Sequence, residues 1–363
     1  MNKLYLAALQ MIPGIGATRT RQLFDFFGSA QQVWQADEKD LLSSGCLDRN
    51  TCSKLLVQRK NINIHTAVRQ WEKQGIQICS IDDAEYPFLL RNIYNPPMVL
   101  FYRGRLPEVK NIIAIVGARQ ASAYGRNAAR MLSAELAQAG FCIVSGAARG
   151  IDTAAHTGAL TKGSTVAVLG CGVDVNYPPE NGRLLAEIAE KGAVISEYAP
   201  GTMAHPGHFP ARNRIINGMS QGVIVVEAAE KSGALITADY ALEEGRDVFA
   251  VPGSIFSSQS KGTHRLIKQG AKIIDSADDV LEEYHLQPED RRNKKAELSL
   301  TDEEKNVYAV LSYDTPLGIE EIILKTNGLP TTITYILLQL ELRGLVTECS
   351  GQCYVRAAGE GVS

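Results

Sequence analysis

The sequence predicts an α/β protein built on a parallel sheet, preceded by a small all-α unit and followed by a winged-helix pattern. Three observations carry that expectation. Continuous apolar, β-branched runs recur through the middle of the chain, each followed by a glycine or polar turn and then a helical segment. That is the pattern of strands buried on both faces. Short helical segments around a glycine turn fill the first 68 residues, and the tail reads helix, helix, helix, hairpin. At 363 residues the chain is also long for a single core.

In chain order, residues 1–68 form the helical unit, of SAM or helix-hairpin-helix type. There LYLAALQM and ATRTRQLFDFFGS flank IPGIG, whose glycine N–H groups suit one DNA phosphate, with Arg19 and Arg21 nearby. The same motif also reads as a tight helical turn that needs glycine for positive φ. Residues 69–287 hold the sheet. Its strands are expected at Ile112–Val116, Phe141–Val144, Thr165–Leu169, Ala193–Ser196, Val223–Val226, Val248–Val251 and Lys272–Ile274. Helices are expected near 124–139, 181–191, 211–219, 234–245, 263–269 and 277–285. A charged linker, 288–298, leads to the winged helix at 299–358. Its recognition helix, from Thr331, offers Thr332, Thr334 and Tyr335 but no cation in its first turns. Residues 299–363 carry 4 basic and 9 acidic side chains, a surface that repels phosphates and suits a protein contact at least as well as DNA.

The net charge of −3 is unevenly spread: 13 basic and 9 acidic residues in 1–105, 16 and 20 in 106–289, and 8 and 11 in 290–363. No part is strongly basic, so a nucleic-acid site must be a local cluster. No apolar run is long enough to span a membrane, and the N-terminal stretch has no signal-peptide cleavage pattern. Seven scattered cysteines suit the thiols of a cytoplasmic protein. Cys349 and Cys353 lack a second pair, and the His205–His208 segment HPGH lacks further ligands, so no metal is expected.

In a parallel sheet every strand ends on the same edge, where ligands bind. After the strands come Gly117-Ala118-Arg119, Ser145-Gly146 with Arg149, Gly170-Cys171-Gly172, Glu197, and Lys231-Ser232-Gly233. The stretch IVGARQASAYGR joins a strand to a helix through a glycine turn, which is a phosphate-binding arrangement. A dinucleotide site requires an acid at the end of the second strand, but that strand ends in Ser145-Gly146. A P-loop motif is absent from the sequence. In HFPARNR, Arg212 and Arg214 flank Asn213 at an expected helix start, with Phe209 in the preceding loop where it can stack on a base. The alternative pairs both arginines with Glu197 and Glu227 and buries Phe209. Arg119, Arg149 and Lys231 on the same edge favour phosphate. His156 and Asp152 suit capping or core roles.

Taken together, IVGARQASAYG, GFCIVSGAARGIDTAAH, TVAVLGCGVDVNYPPEN, FPARNRIINGMS and VIVVEAAEKSGALITADYALEEGRDVFAVPG resemble the DNA-processing protein DprA (Smf) family over roughly residues 70–285. Ala147 and Met219 depart from the family's usual residues. The resemblance implies an extended Rossmann domain that binds single-stranded DNA without sequence preference, protects incoming DNA, forms a homodimer, and loads the recombinase RecA during natural transformation. It implies a DNA track lined by Gly117, Arg119, Ser145, Gly146, Phe209, Arg212, Asn213 and Arg214, with Arg149, Lys231, Ser232 and Gly233 beside it. A dimer surface around Leu266, Ile267 and Ile274 is expected, although apolar residues there suit the core equally, and neither cofactor nor catalysis is expected. The enzyme alternative is a nucleotide phosphoribohydrolase, for which Glu197 and Glu227 are the available acids, although SGALITAD lacks that class's paired glycines and acid.

Overall fold

The structure, a computed structural model, describes residues 2–286 and 300–357, so the expected linker at 288–298 lies outside the described residues. The central strands form because their runs leave no polar face. Ile112–Val116, for example, is buried at every position. In chain order the strands are β1 Gln77–Ser80, β2 Val99–Gly104, β3 Ile112–Val116, β4 Cys142–Ser145, β5 Thr165–Val168, β6 Ala193–Ser196, β7 Gly222–Val225, β8 Asp247–Ala250 and β9 Lys272–Ile273. They make one sheet in the order β1-β2-β6-β5-β4-β3-β7-β8-β9. From β6 to β9 all neighbours are parallel. The chain builds outward from β3 in one direction, then returns to place β7 on the other side of β3. This is the topological switch at which open α/β sheets bind ligands.

Two features depart from the expected pattern. β1 and β2 extend one edge and run antiparallel to their neighbours, so the sheet is mixed rather than wholly parallel. They are joined by one short helical turn, Phe88–Arg91, instead of a full crossover helix. The second departure is a helix at Ile151–Lys162. It lacks a polar stripe because it is enclosed: eight positions from Ile151 to Leu160 are buried. It presses on the helix Ala123–Gln138 so closely that a Cβ on Gly158 would lie 2.2 Å from the Arg130 carbonyl oxygen.

From that enclosed helix, His156 reaches the start of β5: Thr165 Oγ1 donates to the Ile143 carbonyl (2.6 Å) and therefore accepts from His156 Nδ1 (2.8 Å). The remaining nitrogen, Nε2, is buried without a partner among the described residues. Burial lowers the imidazole pKa from 6.5 to about 3. The unfolded chain thus takes up this proton first. The group's contribution to stability is complete above pH 6.5 and is lost as pH falls toward 3, at up to about 1.4 kcal/mol per pH unit. His156→Gln is expected to flatten this part of the pH dependence of the urea midpoint. Parallel profiles for the two proteins would contradict this account.

The N-terminal unit comprises helices Asn2–Gln10, Ala17–Phe27, Ala30–Gln35, Glu38–Ser43, Arg49–Asn61 and Ile64–Lys73, the last running through the expected boundary at residue 68. Gly14 has φ +96°, so the IPGIG turn does need glycine. Arg19 is committed to that turn: it donates to the Gly14 carbonyl (2.9 Å) and Thr51 Oγ1 (3.1 Å) and pairs with Asp48 (3.0 Å). Trp71 meets Phe101 of β2 edge-on at 5.4 Å, so this unit shares its core with the sheet.

The tail folds as a winged helix with its own core. Helices Asp302–Val310, Ile319–Thr326 and Pro330–Leu342 accompany a small sheet of β10 Leu317–Gly318, β11 Val346–Cys349 and β12 Cys353–Arg356. The third helix starts at Pro330, with proline in its first turn. Asn127 Nδ2 holds the tail to the sheet domain by donating to the carbonyls of Tyr313 (2.9 Å) and Arg356 (3.0 Å).

Candidate nucleic-acid interface

The strand-end loops converge as expected, but the fold fills two of their anion seats itself. At the start of the helix Ala123–Gln138, the Glu227 carboxylate accepts from Ser122 N–H (2.9 Å) and Ser122 Oγ (2.5 Å). A Cβ on Gly125 would lie 2.3 Å from this carboxylate. Glu227 therefore occupies the place where a dinucleotide-binding fold holds pyrophosphate. At the next helix start, Asp152 accepts from the N–H groups of Gly146 (3.1 Å) and Ala148 (3.3 Å). Burial raises the Asp152 pKa, while Arg212 and those two N–H groups oppose the shift.

Four expected track residues face inward. Ser145 is fully buried and donates from Oγ to the Ile115 carbonyl (2.6 Å). Gly146 uses its N–H on Asp152 and its carbonyl on Arg212. Arg212 is buried: its guanidinium donates to the carbonyls of Gly146 and Val168, joining the ends of β4 and β5. Gly146 is the residue that admits it, because a Cβ there would lie 2.5 Å from the guanidinium. Burial lowers the Arg212 pKa to about 10. Arg214 donates to the Asn95 carbonyl (2.6 Å) and forms an ion pair with Glu197 in which both side chains are largely buried. Among the described residues Glu227 pairs with no arginine; its carboxylate is taken by Ser122 at the helix start. These groups are satisfied internally because the helix His208–Met219 begins earlier than expected, which places Arg212 and Arg214 in its second turn beneath the loops. Phe209 is consequently in the first helical turn rather than in a loop.

What remains outward is compact. Arg119 is exposed, and its guanidinium lies 5.2 Å from the Phe209 ring centroid. Among the described residues it makes no hydrogen bond or ion pair. Phe209 is half-buried and meets Tyr177 at 5.4 Å with a 31° tilt, making a ladder of guanidinium and two rings. Tyr177, in NYPPEN after β5, was not singled out from the sequence. An aromatic ahead of two prolines in a strand-end loop was its only signal. The ladder borders a pocket whose other walls include Gly146, Ala148, Arg149 and Gly170. No Asp or Glu lines it, and Glu197 and Glu227, the acids an enzyme would need, are both buried and engaged elsewhere.

Arg149 is exposed but ion-paired with Glu180, and Lys231 is exposed with no partner among the described residues. Ser232 caps its helix by accepting from Ala234 N–H (3.3 Å). The half-buried Asn213 donates to the carbonyl of the exposed Gly233 (3.4 Å). Gly117 packs under Ile151, where a Cβ would lie 2.6 Å from that side chain.

The expected dimer residues need correcting as well. Leu266, on the buried face of the helix Lys261–Lys268, and Ile274, just past β9, are core, each only 1% exposed, while Ile273 at the end of β9 is 54% exposed. Ile267 is half-buried. For metals, the described residues offer one grouping, Cys79, Asp83 and Glu85, with ligand atoms within 4.8 Å of one another. Burial raises the Cys79 thiol pKa to about 12, and Asp83 already accepts from Ser80 N–H. Among the described residues, no helix is long and apolar enough to cross a membrane.

The fold and rim define a class: a switch-point α/β domain, extended by antiparallel edge strands and followed by a winged helix. Comparison with known proteins narrows it. Residues 77–285 match the family model of DNA recombination-mediator protein A, and residues 291–352 match that of the DprA winged helix domain. This chain belongs to that DprA/Smf family. It is 34% identical to Protein Smf of Synechocystis over 97% of this chain and 98% of the relative. The X-ray structure of DNA processing protein A from Streptococcus pneumoniae aligns with a TM-score of 0.66 at 39% identity, covering 77% of this chain and 97% of that one. A structure of the Helicobacter pylori protein, described for its single-stranded DNA binding mode, aligns with a TM-score of 0.53 at 31% identity, covering 58% and 96%.

Proposed function

We propose that this chain binds single-stranded DNA without sequence preference along the strand-end rim. In this proposal it protects incoming DNA and loads it with RecA recombinase during natural transformation, acting as a homodimer. The observation that carries the binding step is the ladder of Arg119, Phe209 and Tyr177. It joins an unpaired guanidinium, suited to a phosphate, to an aromatic face suited to a base. Family membership and the described binding mode of the Helicobacter pylori relative support the same reading. Stacking and phosphate contacts are indifferent to base identity, so affinity should depend on salt and tolerate any sequence. The exposed Ile273 and half-buried Ile267 are apolar residues near β9 that a self-association surface could use.

Affinities for single- and double-stranded DNA across a salt series test the binding step. The expected result is a preference for the single strand, with a salt slope of about −0.7 per phosphate engaged. Equal affinity for the two forms would overturn it. Delivery is tested by RecA filament formation on DNA coated with single-strand binding protein. Addition of this protein should accelerate filament formation, and unchanged kinetics would remove that step.

A further inference from the structure

Resting on the reading of this rim as a single-strand track, we propose that Phe256, in the loop after β8, is a second base-stacking platform for the same strand. Its ring is 94% exposed, beside Ile255 at 77%. The loop that presents it is a bonded turn: Ser257 N–H donates to the Ser254 carbonyl (3.0 Å) and Phe256 N–H to Ser254 Oγ (3.3 Å). Both ends of this loop are tied to the segment that carries Arg119. Tyr124 donates its hydroxyl to the Pro252 carbonyl (2.7 Å), and Gln259 Nε2 donates to the carbonyl of Gln120, the residue after Arg119 (3.3 Å). Ala228 N–H donates to the Gln259 carbonyl (2.7 Å), adding the loop after β7 to the same surface.

The charges on this surface suit a phosphate backbone. Lys231 in the β7 loop and Lys261 just after the β8 loop are exposed, with no partner among the described residues. Glu230 is the single exposed acid in these two loops. Phe209 packs near Gly170, beyond the end of β5, and Phe256 lies beyond β8, four strands along the sheet. Strand spacing makes that separation about 20 Å, a span of several nucleotides. A strand whose phosphates meet Arg119 and the two lysines would reach both aromatic sites. Covering Phe256 with a base would also remove an otherwise fully hydrated ring from water.

Fluorescence anisotropy with oligothymidylates of about 4 and about 16 nucleotides tests the assignment. Phe256→Ala should weaken binding of the long oligomer about tenfold and leave the short one unchanged, while Phe256→Trp retains the affinity. Arg119→Ala should weaken both. Equal affinity of Phe256→Ala and the unsubstituted protein for the long oligomer, with Arg119→Ala still impaired, overturns the second platform and leaves the Arg119 reading standing. No loss with either variant overturns both. Light scattering on the same samples covers the competing occupant, a second copy of this chain. A loss of affinity that appears only together with a change in oligomeric state also overturns the proposal.

Discussion

Arg214→Ala is expected to destabilise the protein by about 3–5 kcal/mol, the cost of leaving one partner of a buried ion pair alone. Glu197, which is 6% exposed, would lose its counter-charge, and the Asn95 carbonyl would lose a donor. Asn95 in turn donates through Nδ2 to Thr18 Oγ1 (3.0 Å), so the damage should extend to the contact with the N-terminal unit. Burial already raises the Glu197 pKa, with Arg214 opposing the shift. Removing Arg214 raises it further, and the folded variant then binds a proton more readily than its unfolded chain. The sign follows: the deficit should shrink as pH falls from 7 toward 5. Replacing both partners, as Arg214→Met with Glu197→Leu, should recover much of the loss, because no buried charge is left unpaired. Urea denaturation of the single and double variants checks this, and additive losses would contradict it.

The second large effect is expected at Arg212. Its guanidinium is 4% exposed and supplies donors to the carbonyls ending β4 and β5, while its charge opposes that of Asp152. Arg212→Ala leaves two acceptors and a carboxylate without it, at about 3–5 kcal/mol. For a domain of this size that is a fall in Tm on the order of 10 °C. Arg212→Lys keeps the charge but cannot reproduce a planar fork spanning two carbonyls, so partial recovery is expected. Calorimetry decides the point. A variant as stable as the unsubstituted protein would show that the two strand ends need no such clamp.

These two residues mark where the sequence could be read and where it could not. Strands such as Ile112–Val116 were legible because burial on both faces writes itself as an unbroken apolar run. The helix Ile151–Lys162 was not, because a helix enclosed on all sides has no polar stripe to give a period. Convergence of the polar loops followed from the parallel sheet alone. Which arginine faces water did not, since the sequence puts Arg212 and Arg214 at the helix start while the helix begins at His208, and that turn decides whether Arg212 lies above the loops or beneath them. Glycine was similarly ambiguous. At Gly125 and Gly146 the missing Cβ makes room for the chain's own Glu227 and Arg212. The Arg119 segment survives as the outward part because its guanidinium rests on a ring instead of a carbonyl.

We propose that Arg119 serves DNA while Arg212 and Arg214 serve the fold. It is tested most directly by measuring Tm and single-strand affinity together on Arg119→Ala. The expected result is an unchanged Tm with at least a tenfold loss of affinity, as for removal of a charged hydrogen bond, and a shallower salt dependence. An Arg119→Ala protein that melts earlier yet binds single-stranded DNA as tightly as before would contradict it.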